Sequence, residues 1–284
     1  MSPPAADWPR PLDLFRSPPV RAQALSGRVA VITGASRGLG AGLAVHFASA
    51  GLRLGLCARH RPELVAATRP RVHDGVVEPA EAPLTAAVDV TDFDQLAQFA
   101  DAVVARFGPI DLWVNNAGLL ASIGPLAEAD PTETSRMVEV NLTGVLFGSA
   151  IYADHVRSRP GDGVLVNVSS GASVHPYVGW AGYCATKAAV DMATEVVALE
   201  EAAHGLSAYS VAPGLVDTDM QAAIRATDEA RFPDVGRFRR AKEQGAFNSA
   251  PWVAERLLEL AFGGPPAEVV CLRVPTEVSR SSAR

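Results

Sequence analysis

The stretch from Arg28 to Gly51 limits the fold more than any other part of the chain. Val29-Ala30-Val31-Ile32 is a short run with no polar residue, as expected of a strand buried on both faces of a parallel sheet. It breaks into Thr33-Gly34-Ala35-Ser36-Arg37-Gly38-Leu39-Gly40. Leu43, Ala44, Phe47 and Ala48 then recur at helical spacing up to Gly51, a glycine suited to a helix C-terminus. Strand, glycine turn and helix in this order form the setting in which glycines bind phosphate. Without side chains the backbone can approach a diphosphate closely, and the helix N-terminus supplies N–H groups and positive dipole. The spacing is Gly-x-x-x-Gly-x-Gly rather than Gly-x-Gly-x-x-Gly. Gly34, Ser36, Arg37, Gly38, Leu39 and Gly40 are therefore assigned to a dinucleotide.

The remaining chain repeats the alternation of strand and helix. A second strand, Leu52 to Ala58, ends in Ala58-Arg59, where an acid would bind the adenosine ribose of NAD. With Arg37 in the glycine turn and Arg59 at this strand end, two guanidiniums can converge on a 2′-phosphate, which favours NADP. Residues 60–83 read as a short, irregular crossover with a helix from Pro62 to about Thr68. Leu84 to Val88 is a strand followed by Asp89-Val90-Thr91-Asp92. Asp92 or Thr91 can cap the helix that carries Leu96, Phe99, Val103 and Phe107, while Asp89 suits either an adenine amino group or a capping role. Ile110 to Val114 is a strand ending in Asn115-Asn116-Ala117-Gly118. Adjacent Asn residues brace a turn, and Gly118 permits close approach of a ribose or nicotinamide. A long helix is expected from Pro131, with Asn141 in its middle, where a polar residue is unfavourable unless it is used or hydrogen-bonded locally.

Strand five, Val164 to Ser169, delivers Ser170. Downstream, Tyr183 and Lys187 stand one helical turn apart, so their side chains share a face. A nearby ammonium stabilises phenolate and lowers a Tyr pKa from its reference of about 10. That makes the phenol a usable proton donor or acceptor. Tyr177 and Trp180, in the loop before Tyr183, are placed either against an aromatic substrate or in simple packing. Leu206 to Val211 is the sixth strand and ends in Pro213-Gly214. Residues 215–248 carry charges and few strong core positions and read as a partly helical, mobile lid. A helix at Pro251 to Phe262 and a strand at Glu268 to Val274 complete the pattern. It is that of an α/β, doubly wound parallel sheet of Rossmann type in a single domain, residues 27–274. A Pro-rich arm (1–26) precedes it and a frayed tail (275–284) follows.

Composition excludes several classes. The net charge of −6 supplies no basic footprint for nucleic acid. Cys57, Cys184 and Cys271 lie far apart without metal-ligand spacing, and Cys57 and Cys271 read as core, so neither a metal site nor a disulfide framework is expected. No apolar run approaches a membrane span, and the N-terminus lacks an apolar signal segment, so a cytoplasmic protein without membrane contact is expected.

Taken together, Thr33-Gly34-x-x-x-Gly38-x-Gly40, Asn115-Asn116-Ala117-Gly118, Asn141, Ser170, Tyr183-x-x-x-Lys187 and Pro213-Gly214 resemble the short-chain dehydrogenase/reductase family over about residues 27–274. The resemblance implies NAD(P) and a catalytic tetrad. Tyr183 is the proton donor, Lys187 lowers its pKa and binds the nicotinamide ribose, Ser170 orients the carbonyl, and Asn141 holds a water linked to Lys187. It also implies cofactor contacts from Asn116, Ala117, Gly118, Asp89, Val90, Pro213, Gly214, Val216 and Thr218. Pro213-Gly214-Leu215-Val216-Asp217-Thr218-Asp219-Met220-Gln221 is similar to the sepiapterin reductase and benzil reductase branch. The last strand, Val269-Val270-Cys271-Leu272, lacks the acid with which pterin reducers hold their substrate. The resulting expectation is an NADPH-dependent ketone or diketone reductase acting on a small molecule, a homodimer through the Asn141 and Tyr183 helices. A 3-oxoacyl thioester reductase and a non-catalytic NADP-binding sensor are the alternatives.

Overall fold

The computed structural model of the protein describes residues 25–62, 71–73, 76–78, 81–121, 123–264 and 268–277. Nearly all of the N-terminal arm, the helix expected from Pro62 to about Thr68 (apart from Pro62 itself) and most of the tail lie outside them. In chain order the elements begin with β1 (Val29–Thr33), α1 (Gly38–Ala50), β2 (Arg53–Ala58), β3 (Arg71–His73), β4 (Val76–Glu78), β5 (Leu84–Ala87), α2 (Phe93–Phe107) and β6 (Leu112–Asn115). Then follow α3 (Pro131–Val138), α4 (Gly144–Arg157), β7 (Gly163–Val168), α5 (Ala181–Glu201), β8 (Leu206–Ala212), α6 (Asp219–Ala226), α7 (Val235–Glu243), α8 (Ala250–Phe262) and β9 (Cys271–Arg273). A seven-stranded sheet runs β5-β2-β1-β6-β7-β8-β9. All its pairings are parallel. Strand order reverses between β1 and β6, and a crevice at such a point, outside the carboxyl ends of the strands, is where ligands bind in sheets of this kind.

Alternation within each strand divides the core. Ala30 and Ile32 of β1 pack with Leu43 and Phe47 of α1 and with Val253 and Leu257 of α8. Their neighbours Val29 and Val31 face the opposite way, onto Leu96, Phe99 and Val103 of α2 and Tyr152 of α4. Every residue of β1 is buried, so the run has no polar position to give to solvent. No helix among the described residues is long and apolar enough to cross a membrane.

Several local expectations change. Within the crossover read as irregular, β3 and β4 form an antiparallel hairpin. The final strand is shorter than expected, at Cys271–Arg273. Cys57 is buried, but Cys271 is only partly so, and its thiol lies 3.5 Å from the Glu195 carboxylate. The long helix from Pro131 is interrupted by a π-turn at Glu139–Thr143, with Asn141 inside it. Hydrogen bonds between the Asn141 side chain and the Leu119 backbone accompany this extra-wide turn, a form that marks helices at functional positions.

Candidate active site

The glycine turn is held from below by β6. Thr33 Oγ1 accepts the backbone N–H groups of Asn116 (3.0 Å) and Ala117 (3.1 Å). Asn116 Nδ2 donates to the carbonyls of Thr33 (2.9 Å) and Gly34 (3.2 Å). This clamp leaves no room for side chains. A Cβ on Gly34, whose φ is +66°, would lie 2.7 Å from Ala117 Cα, and one on Gly40 would collide with the Gly34 carbonyl. The result is an open backbone cradle.

Four other helices begin with a side chain that satisfies their first N–H groups: Asp92, Asp130, Thr218 and Ser249. At α1 the capping position is Arg37, which makes no such bond, and the first turn holds no acid. Its N–H groups and dipole thus remain available to an anion. The cradle and the uncapped helix fit a dinucleotide diphosphate.

Above the turn lies a cleft of about 970 Å³. It is lined by Gly34, Ser36, Arg37, Gly38, Leu39, Gly40, Arg59, Asp89, Val90, Asn116, Ala117, Gly118, Ser170, Tyr183, Lys187, Pro213, Gly214, Val216 and Thr218. Asn141 is the exception. It is fully buried beneath the floor, with Oδ1 accepting Leu119 N–H at 2.8 Å and Nδ2 donating to Leu119 O at 2.8 Å. Asp92, not Thr91, caps α2. Asp89 reaches the cleft, but its carboxylate is bonded to Arg136 at 2.6 Å and to Thr91, a pairing that no local pattern announced. Arg37 is largely exposed and only loosely paired, 3.7 Å from Asp219.

Tyr183 and Lys187 project from the first turns of α5, and Ser170 from the end of β7. The Ser170 hydroxyl, whose oxygen accepts the Ala172 N–H at 3.2 Å, lies beside the Tyr183 phenol and acts to lower its pKa. Lys187 Nζ lies 5.8 Å from the centre of the Tyr183 ring and donates to Val168 O at 2.8 Å. Among the described residues only Val168 accepts from Lys187, so its other donors fit ribose hydroxyls. Here the electrostatic expectation needs correction. Burial pushes the Tyr183 phenol up to about 12, against the opposing influence of Ser170, and Lys187 does not hold it below 10. Burial likewise draws the Lys187 ammonium down to about 8, with Asp191 acting in the other direction. Desolvation dominates both shifts because both groups are almost wholly removed from water.

Two supports were missed in the sequence. Asn167, the polar residue inside Val166-Asn167-Val168, bonds Asn115 (2.9 Å) and Thr194 (2.9 Å), tying β6, β7 and α5 together beneath the site. A buried amide inside an apolar strand was the signal. Asn248 donates to Pro213 O at 2.9 Å, and its N–H to Leu215 O at 2.7 Å, so it closes the 215–248 segment at its base. Nothing local marked it.

Comparison with known proteins now bears on this geometry. The short chain dehydrogenase family model matches residues 28–229. The chain belongs to the short-chain dehydrogenase/reductase family. Among curated relatives in this family, the benzil reductase ((S)-benzoin forming) of Bacillus subtilis is 32% identical over 238 residues, covering 82% of this chain and 93% of the relative. The 3beta-hydroxysteroid dehydrogenase 1 of Eggerthella lenta is 33% identical over 245 residues, covering 86% and 84% respectively. Among solved structures, KRED1-Pglu superimposes with a TM-score of 0.74 at 31% identity, covering 87% of this chain and 100% of that one. This short-chain dehydrogenase/reductase is therefore an oxidoreductase that uses a nicotinamide cofactor, and it lies near the benzil reductase branch.

Proposed function

We propose that the protein reduces a ketone or diketone to an alcohol with NADPH. The observation that carries this reading is the convergence of Ser170, Tyr183 and buried Lys187 on the cleft that also contains the glycine cradle. The chemistry a bound nicotinamide supplies is hydride for the carbonyl carbon. Tyr183 gives its proton to the carbonyl oxygen, and Ser170 donates a hydrogen bond to the same oxygen. A phenol raised to about 12 holds its proton at neutral pH, which suits the donor role. The Lys187 ammonium stabilises the phenolate left behind. Asn141, fixed on Leu119, supports the floor below Lys187 and Gly118, within 3.4 Å of where a Gly118 Cβ would stand. The adenosine end would meet Asp89, Val90, Arg37 and Arg59, and Pro213, Gly214, Val216 and Thr218 would line the nicotinamide side. Tyr177 and Trp180 border the substrate end, packed under Phe232 and Phe238 of the 215–248 segment, which serves as a cover. Reduction of benzil and of aliphatic diketones, followed by NADPH absorbance, tests the reading; no turnover with either would overturn it.

Cofactor choice is read from Arg59, which has no recorded partner among the described residues and lines the cleft at the end of β2. In Arg59→Asp the kcat/KM ratio of NADPH to NADH is expected to fall by about 10- to 100-fold, the scale of one charge-assisted contact. An unchanged ratio would return the choice to other groups.

Self-association is read from α5. Met192, Val196 and Leu199 are 62%, 44% and 83% exposed and lie at helical spacing, with Leu146 of α4 (42% exposed) as a further exposed apolar group. We assign this stripe to a homodimer contact. Light scattering should give a dimer for the wild type and a monomer for Met192→Glu/Leu199→Glu; a monomeric wild type would contradict it. The free thiols suit a reducing, cytoplasmic setting.

A further inference from the structure

The substrate end of the cleft is positively charged, although the chain as a whole is acidic. Arg237 of α7 donates from Nη1 to Tyr177 Oη at 3.0 Å, and its guanidinium lies 5.9 Å from the centre of that ring. Arg273 closes β9, in register with Ala212 at the end of β8, just before Pro213-Gly214. Both line the cleft, and both act electrostatically on the Tyr177 phenol. Neither forms an ion pair among the described residues. The acids nearby do not cancel them. Asp234 also acts on Tyr177 but is a single charge facing two. Asp219 is turned toward Arg37, and Asp217 is held by Lys242 and Arg225.

These guanidiniums are separate from the pair assigned to the cofactor. Their position relative to the reacting centre follows a chain of rings. Tyr183 packs on Trp180 at 5.6 Å, and Trp180 on Tyr177 at 4.8 Å, with Arg237 beyond. A molecule whose carbonyl meets Tyr183 and whose second polar group meets the guanidiniums must therefore span the Trp180 and Tyr177 rings. Guanidiniums match carboxylates in geometry and are weakly hydrated, so two of them beside an aromatic wall select an anion over water.

We propose that the substrate is a keto acid whose carboxylate, separated from the reacting carbonyl by roughly one six-membered ring, is held by Arg237 and Arg273. This deepens the carbonyl-reductase reading and rests on it.

The test compares 4-acetylbenzoate with methyl 4-acetylbenzoate, alike in carbonyl and ring but differing in charge. With NADPH the wild type should favour the acid by about tenfold or more in kcat/KM, mainly through KM, as expected of charge-assisted contacts. In Arg237→Gln/Arg273→Gln the acid-to-ester ratio should collapse toward one. Arg273→Gln alone, which leaves the Tyr177 contact in place, should lower it partway. Calorimetry of terephthalate with the NADPH-bound protein gives a readout without turnover: binding should weaken at least tenfold in the double variant. A wild-type ratio near one, or an acid preference that survives in the double variant, overturns the proposal. If the ester is reduced but terephthalate does not bind, the anion site fails and the reductase reading stands. If no ketone is reduced while terephthalate binds through these arginines, the reductase reading fails and the anion site stands.

Discussion

Tyr183→Phe is expected to lower kcat for ketone reduction by about 10²- to 10⁴-fold, the range set by loss of a positioned general acid. NADPH affinity should stay close to that of the wild type, because the lost hydroxyl faces Ser170 and the substrate oxygen. Stability should change by only about 0.5–1.5 kcal/mol, the net worth of one hydrogen bond. The same site predicts a pH profile. Reduction needs Tyr183 protonated, which holds up to about 12, and Lys187 charged, which holds up to about 8. kcat/KM for reduction should therefore decline as pH rises through about 8, well before the phenol itself titrates. Oxidation of the alcohol, which needs the phenolate, should instead gain as pH rises. A variant that reduces diketones at the wild-type rate, or a reductive profile flat to pH 10, would remove Tyr183 or Lys187 from these roles.

Gly34→Ala should be severely damaging to the cofactor cradle. The φ of +66° costs an L-residue about 1–2 kcal/mol. The added methyl would also stand 2.7 Å from Ala117 Cα, a backbone atom fixed by the Thr33 and Asn116 bonds, and overpacking of this kind costs about 1–3 kcal/mol. A thermal melt should show a loss of about 2–5 kcal/mol from these two terms combined. Titration of NADPH should show weaker binding, since relief of the clash has to open the turn. A melt and an affinity equal to wild type would mean that the cradle is looser than its hydrogen bonds imply.

The fold was legible because its signals are local. β1 is buried at every position and apolar from Val29 to Ile32, and α1 and α2 repeat their apolar residues at helical spacing. The glycine turn and the Tyr183–Lys187 spacing were legible for the same reason, since one turn of helix places both side chains on one face. Asn167 was within reach as a polar residue inside an apolar strand, but its partners on β6 and α5 were not. Strand ends are harder to place where Pro and Arg interrupt the pattern, and nothing local announces the hairpin β3–β4.

The chain's own order of residues thus determined the doubly wound sheet, the phosphate turn and the identity of the Ser, Tyr and Lys groups, because each depends on neighbours a few positions away. Tertiary structure alone decided what those groups experience. Burial raises the Tyr183 phenol and lowers the Lys187 ammonium, since desolvation depends on everything packed around them rather than on their spacing. It also decided the pairing of Asp89 with Arg136, the closure of the 215–248 segment by Asn248, and the approach of Arg237 and Arg273 to one phenol. Those contacts join residues dozens of positions apart, and only the folded chain brings them within reach of one another.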